Sequence, residues 1–142
     1  YIKIWIHLIF TTKNRDNLIS KNLKPSLLKH IKENSIKKNI YIDFMNCVSD
    51  HIHLLISLNS NQSISKITQL IKGESSHWVN KNNLLRSKFE WQDEYIAASI
   101  GHSQVNRVRD YIKNQEEHHR EKTFQEEYDE FFKKYGFEIV QK

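Results

Sequence analysis

Ile2-Lys3-Ile4-Trp5-Ile6-His7-Leu8-Ile9-Phe10 sets Ile2, Ile4, Ile6, Leu8 and Phe10 on one side of an extended chain and Lys3, Trp5 and His7 on the other. A period of two fits a β-strand, because a helix returns its apolar positions every three or four residues. Outward from this strand, the polar run from Thr11 to Asn17 reads as a turn, and Leu23, Leu27, Leu28 and Ile31 then recur at helical spacing. Pro25 is compatible with that helix only near its start. Ile40, Ile42 and Phe44 alternate again, and Val48 to Leu58 carries a further β-like run beyond the Asn46 to Asp50 region, so two adjacent antiparallel strands are expected. From Ser63, the positions Ile64, Ile67, Leu70 and Ile71 take up a helical period that extends to Trp78. Gly73 weakens the middle of this helix by about 1 kcal/mol relative to Ala. Phe89 to Ile100 reads as a strand with an irregular approach, ending at Gly101. Ser103 is the expected N-cap of a helix with Val105, Val108 and Ile112 as its buried stripe. Thr123 and Glu126 form a capping box and Gly136 a stop, which predicts a short helix over Phe124 to Tyr135. The order β-α-β-β-α-β followed by helices is the ferredoxin-like split arrangement, an α+β fold whose four antiparallel strands carry two helices on one face.

A chain of 142 residues has the size of one domain, and with no internal repeat, low-complexity tract or linker the expected unit is 1–142. Hydrophobic residues make up 38% and aromatics 11%, with Gly 3 and Pro 1, which excludes disordered and collagenous classes. The apolar stretches are far shorter than the roughly 20 residues of a membrane span. The single cysteine, Cys47, excludes an internal disulfide framework, and no signal-peptide pattern opens the chain, so a reducing, cytoplasmic setting is expected. Charge divides by region: residues 1 to 115 hold 17 Lys and Arg against 9 Asp and Glu, a net +8, while residues 116 to 142 hold 5 against 8, a net −3. A basic body with an acidic end suits a polyanionic partner such as nucleic acid, although solvated helix faces have the same composition.

Two short patterns could carry chemistry. His51 and His53 in His51-Ile52-His53 point to one face of a strand, where two imidazoles form a natural pair of metal ligands, or equally a pair of packed histidines. Tyr111 and Gln115 are four apart and flank the stripe of Val105, Val108 and Ile112 on one helix face. Taken alone, a tyrosine there is an ordinary amphipathic packing residue.

Together with the basic body and the fold, these patterns resemble the HUH-type single-tyrosine transposases of small bacterial insertion sequences. The resemblance extends through Trp5-Ile6-His7-Leu8-Ile9-Phe10-Thr11-Thr12-Lys13-Asn14-Arg15, Ile71-Lys72-Gly73-Glu74-Ser75-Ser76, Phe89-Glu90-Trp91-Gln92-Asp93-Glu94-Tyr95 and Tyr111 to Arg120, and so spans nearly the whole chain. It departs at Glu94 and Ile96, where glycines are expected after the Trp-Gln pair. The resemblance implies Tyr111 as nucleophile and His51, His53 and Gln115 as ligands of a divalent ion, Mg²⁺ or Mn²⁺. It further implies single-stranded DNA with a subterminal hairpin as substrate, a 5′-phosphotyrosine intermediate, and a homodimer in which the tyrosine helix often serves the partner's histidines. Two alternatives are a domesticated nicking relative associated with repetitive extragenic palindromes, and a non-catalytic single-strand binder on the same four-stranded sheet.

Lys13, Arg15, Lys72, Arg107 and Arg109 are the candidate phosphate contacts, with surface solvation as the competing role of each. Trp5, Trp78 and Trp91 could stack on unpaired bases, core packing being the expectation for two of the three. Asp50 could orient a neighbouring imidazole or cap the strand end. His7 reads as a satisfied core histidine, His118 and His119 as a solvated helix end, and Cys47 as inert packing. The acidic residues Glu126, Glu127, Asp129 and Glu130 could pack on the body or reach a second subunit.

Overall fold

The computed structural model describes residues 2–117 and 123–135; His118, His119 and Gly136 lie outside the described residues. In chain order the elements are β1 (Ile4–Thr11), α1 (Leu23–Lys37), β2 (Tyr41–Cys47), β3 (His51–Leu58), α2 (Ile64–Lys81), β4 (Ile96–Ile100), α3 (Val105–Lys113) and α4 (Phe124–Tyr135). The strands form one antiparallel sheet in the order β2-β3-β1-β4. This is the split βαββαβ sheet anticipated from the alternation.

β1 is central, pairing with β3 in the register His7 to Leu55 and Thr11 to His51, and with β4 in the register Trp5 to Ile100. Both of its faces are covered. Ile6, Leu8 and Phe10 join Ile52, Leu54 and Ile56 beneath Leu23, Leu27 and Ile31 of α1 and Ile67, Ile71 and Val79 of α2. On the opposite face Trp5, Leu55 and Ile100 pack against Val105, Val108 and Ile112 of α3. Each fully buried Leu, Ile or Val contributes about 1.5–3 kcal/mol, so α3 is fixed by its apolar stripe before any polar contact is considered. Buried on that second face among these apolar residues are three histidines, His7, His51 and His53.

Some boundaries differ from the sequence reading for physical reasons. α2 starts as expected, with the Ser63 hydroxyl accepting from the Lys66 N–H at 3.2 Å, and runs on to Lys81. β4 is shorter than Phe89 to Ile100, because Phe89 and Trp91 leave the ladder to enter the core. Asn80 brackets the Phe89 backbone with bonds of 2.9 and 2.8 Å, and the Trp91 indole donates to the Ser75 hydroxyl at 2.9 Å. Trp91 retains a single bridge to Thr12. Ser103 is not an N-cap: it lies in a 3-10 turn, His102–Gln104, closed by the Gln104 N–H on the Gly101 carbonyl, and α3 begins after it. Thr123 caps α4 as expected, its hydroxyl accepting from the Glu126 N–H at 3.2 Å and donating to the Glu126 carboxylate at 3.3 Å. Trp5 and Trp91 are buried, whereas Trp78 is half-buried and stacks on His30 at 4.2 Å.

Candidate active site

β3 opens with His51 and His53 on the α3 face, both fully buried. Each ring is held through Nδ1. Asp50 Oδ1 lies 2.7 Å from His51 Nδ1, and His7 Nε2 lies 2.9 Å from His53 Nδ1 across the β1–β3 pair. Engaging Nδ1 in this way turns both Nε2 atoms toward the same point, the arrangement that fixes tautomer and orientation in a metal-ligating histidine. His7 is therefore more than a packed core residue, and of the two roles open to Asp50 its carboxylate takes the one beside an imidazole.

α3 is anchored onto this face by three devices besides its apolar stripe. A bulge in β2 between Ile42 and Phe44 frees Asp43, whose carboxylate accepts from Arg109 Nε at 2.6 Å and Nη2 at 2.7 Å. The amide of Asn46 donates to the Ile112 and Lys113 carbonyls at 2.9 and 3.2 Å, satisfying the last turn of α3. Beyond this cap, Gln115 folds back and is fully buried, with Oε1 3.3 Å from His51 Nε2. Tyr111 stands beside the histidines of its own chain, its ring 5.7 Å from that of His53 and 6.2 Å from that of His7. The sequence left open whether the tyrosine serves its own histidine pair or a partner's; within the chain, the two are adjacent.

The residue that sequence reading did not place in this group is Glu127. α4 delivers its carboxylate between the two histidines, with Oε1 3.0 Å from His53 Nε2 and Oε2 3.3 Å from His51 Nε2. Oε1 also accepts from the Tyr111 hydroxyl and, at 3.3 Å, from the Gln115 amide. His51, His53 and Glu127 thus offer ligand atoms within 4.8 Å of one another, all from buried residues. One signal for it was present: Glu127 lies three residues after Phe124, on the helix face that packs inward, where a carboxylate requires a partner. Phe124 itself packs on the His51 ring at 4.7 Å.

The electrostatics follow from this crowding. Burial alone would lower the His51 pKa, but hydrogen bonds to Asp50 and Glu127 and their negative charges outweigh it and hold the imidazole at about 9. Burial would raise the Glu127 carboxyl, yet the two histidines bring it well below the usual carboxylate range. Burial, and then the Glu127 charge, push the Tyr111 phenol far above its ordinary value. His7 is held well below the ordinary histidine value, first by burial and then by His53.

The basic candidates are scattered. Arg107 lines a cavity of about 180 Å³ together with His7, Gln104, Tyr111 and Glu127. Arg15 sits over the Phe124 ring, and Lys13 pairs with Glu90 at 3.2 Å in an exposed position. Lys72 donates to the backbone carbonyls of Gln92 and Asp93, and Arg109 is committed to Asp43.

The same architecture occurs in solved structures. One from Deinococcus radiodurans R1, described as a transposase, superposes with a TM-score of 0.66 at 19% identity, over 81% of this chain and 92% of the other. Another, a REP-associated tyrosine transposase bound to a REP hairpin, superposes with a TM-score of 0.64 at 20% identity, over 84% of this chain and 70% of the other. Residues 1–115 match the IS200-like transposase family, and the chain belongs to that family. Among its relatives, the transposase of insertion element IS200 from Salmonella typhimurium is 25% identical over 77% of this chain and 74% of its own length. The ISDra2 transposase TnpA of Deinococcus radiodurans is 21% identical over 77% of this chain and 81% of its own.

Proposed function

We propose that this transposase cleaves and rejoins single-stranded DNA, with Tyr111 as nucleophile and His51, His53 and Gln115 as ligands of Mg²⁺ or Mn²⁺. The observation that supports this reading is the convergence of the Tyr111 hydroxyl, two imidazole Nε2 atoms and an amide oxygen at one buried point of the sheet face. That donor set suits a divalent ion, with imidazole favouring manganese over magnesium. When bound, the ion supplies polarisation of a non-bridging phosphate oxygen and a fixed in-line geometry.

The remaining work belongs to the chain. Tyr111 Oη forms an ester bond to phosphorus while the bond from phosphorus to the 3′ oxygen breaks; the phenol gives up its proton and the departing oxygen gains one, leaving a 5′-phosphotyrosine and a free 3′-hydroxyl. One phosphoester replaces another, so rejoining by attack of a 3′-hydroxyl requires no nucleotide triphosphate. Asp50 and His7 hold the ligand imidazoles in place, and Arg107 in the adjoining cavity is positioned to meet a phosphate. The hairpin bound to the similar solved structure supports a hairpin as the recognised element here; a homodimer acting in the cytoplasm is the assembly that goes with this reading.

The test mixes the protein with labelled single-stranded oligonucleotides taken from the DNA flanking its gene, in Mn²⁺ or EDTA, and resolves the products on a denaturing gel. A metal-dependent covalent band is expected from the wild type. Tyr111→Phe should lose it while binding DNA nearly as well, and His51→Ala should lose metal-dependent cleavage. An undiminished adduct with Tyr111→Phe would refute the nucleophile.

A further inference from the structure

The family match ends at residue 115, yet the most heavily contacted group of the site comes from α4, beyond that limit. We propose that Glu127 is a further protein ligand of the divalent ion, so that docking of α4 and metal binding are a single coupled event. This rests on the metal-dependent reading above and adds to it a carboxylate from the C-terminal segment.

Three observations carry the assignment. The first is spacing. Adjacent donors around an octahedral ion with bonds of about 2.1 Å are about 3.0 Å apart, and the two oxygens of Glu127 fall near that spacing, Oε1 3.0 Å from His53 Nε2 and Oε2 3.3 Å from His51 Nε2. Gln115 Oε1 is 3.3 Å from His51 Nε2 as well, so each of the four side chains has a donor atom within cis-ligand range of at least one other. The second is charge. Two neutral imidazoles and an amide bring no negative charge to a buried divalent cation, and hard cations take carboxylates as their usual compensation. Glu127 is 4% exposed and placed where that charge is required. The third is the contact that brings the helix to the site. Phe124, one turn earlier, packs on the His51 ring and beneath Arg15, so α4 reaches the site through one of the histidines that would hold the ion.

The test uses the full chain without DNA. Mn²⁺ is titrated into wild type, Glu127→Gln, Glu126→Gln and His51→Ala, and free ion is followed by its electron paramagnetic resonance signal. Circular dichroism and thermal melts with and without Mn²⁺ check the fold. Glu127→Gln should bind at least about tenfold more weakly than wild type and lose the metal-induced rise in Tm. Glu126→Gln removes the same charge one residue away and should bind as wild type. If Glu127→Gln fails to fold, Glu127→His, which restores a donor, takes its place and should bind Mn²⁺. Glu127→Gln affinity equal to wild type would refute the ligand assignment, and tighter binding would mean that the carboxylate competes with the ion. If His51→Ala alone weakens binding, the metal centre stands and only the role of Glu127 falls. If the wild type binds no Mn²⁺, both readings fall.

Discussion

Side chains on this sheet differ in fate according to which face they occupy. Cys47, at the end of β2, is fully buried, and burial pushes its thiol up to about 12. The folded pKa therefore lies above the unfolded value of about 8.5, so the stabilisation from keeping a neutral thiol is complete below that value and is lost as pH rises toward 12. Urea unfolding of wild type and Cys47→Ala at pH 8, 10 and 11 should show wild-type stability falling more steeply with pH, by up to about 1.4 kcal/mol per unit. Parallel pH profiles would contradict it. At pH 8 iodoacetamide should modify the native thiol far more slowly than the denatured one. On the other face, His51 and His53 are equally buried but meet carboxylate, imidazole and amide instead of aliphatic carbon. Strand alternation told which residues share that face; it could not tell that His7 would meet His53 diagonally across two strands, because that depends on the register His7 to Leu55.

Among the elements, α2 illustrates a local weakness with no packing reason behind it. Gly73 lies mid-helix, and a Cβ built there would meet nothing within 4 Å. Gly73→Ala should therefore raise stability by about 0.5–1 kcal/mol, read as a higher urea midpoint with unchanged m-value. A destabilised variant would show that this position tolerates no side chain. The amphipathic helices and the alternating strands were readable because apolar spacing fixes their type, and the Ser63 cap and the Thr123–Glu126 box marked two helix starts directly. What local patterns could not fix were ends decided by distant partners. β4 begins late because Asn80 draws Phe89 inward, and α3 ends where Asn46 of β2 caps it. Glu127 belongs to the same group: its place on the inward face of α4 follows from Phe124, but its partners are 12 to 76 residues away in sequence, so no local spacing names them.

At the scale of the molecule, the proposed reading gives the basic body and the acidic end different work, the first toward a polyanion and the second toward the metal site. Residues 1 to 115 carry the net positive charge, while α4 spends an acidic residue inside the protein, against His51 and His53. Five cations were candidates for phosphate, but the fold occupies two of them: Arg109 forks onto Asp43, and Lys72 holds the backbone at Gln92 and Asp93. Lys13, Arg15 and Arg107 remain, with Lys13 held only by an exposed ion pair that costs little to exchange for a phosphate. Neutralising Z phosphates of a single strand gives a slope of about −0.7Z in a plot of log affinity against log salt. Three contacts predict a slope of about −2 and five about −3.5. Fluorescence anisotropy of the Tyr111→Phe variant with labelled single-stranded DNA between 50 and 200 mM salt should give the shallower value, with Arg107→Ala reducing it by about 0.7 and Arg109→Ala acting on α3 rather than on the slope. A slope near −3.5 that falls equally with Arg109→Ala would mean that DNA displaces Asp43, and that the fork holding the tyrosine helix opens when substrate binds.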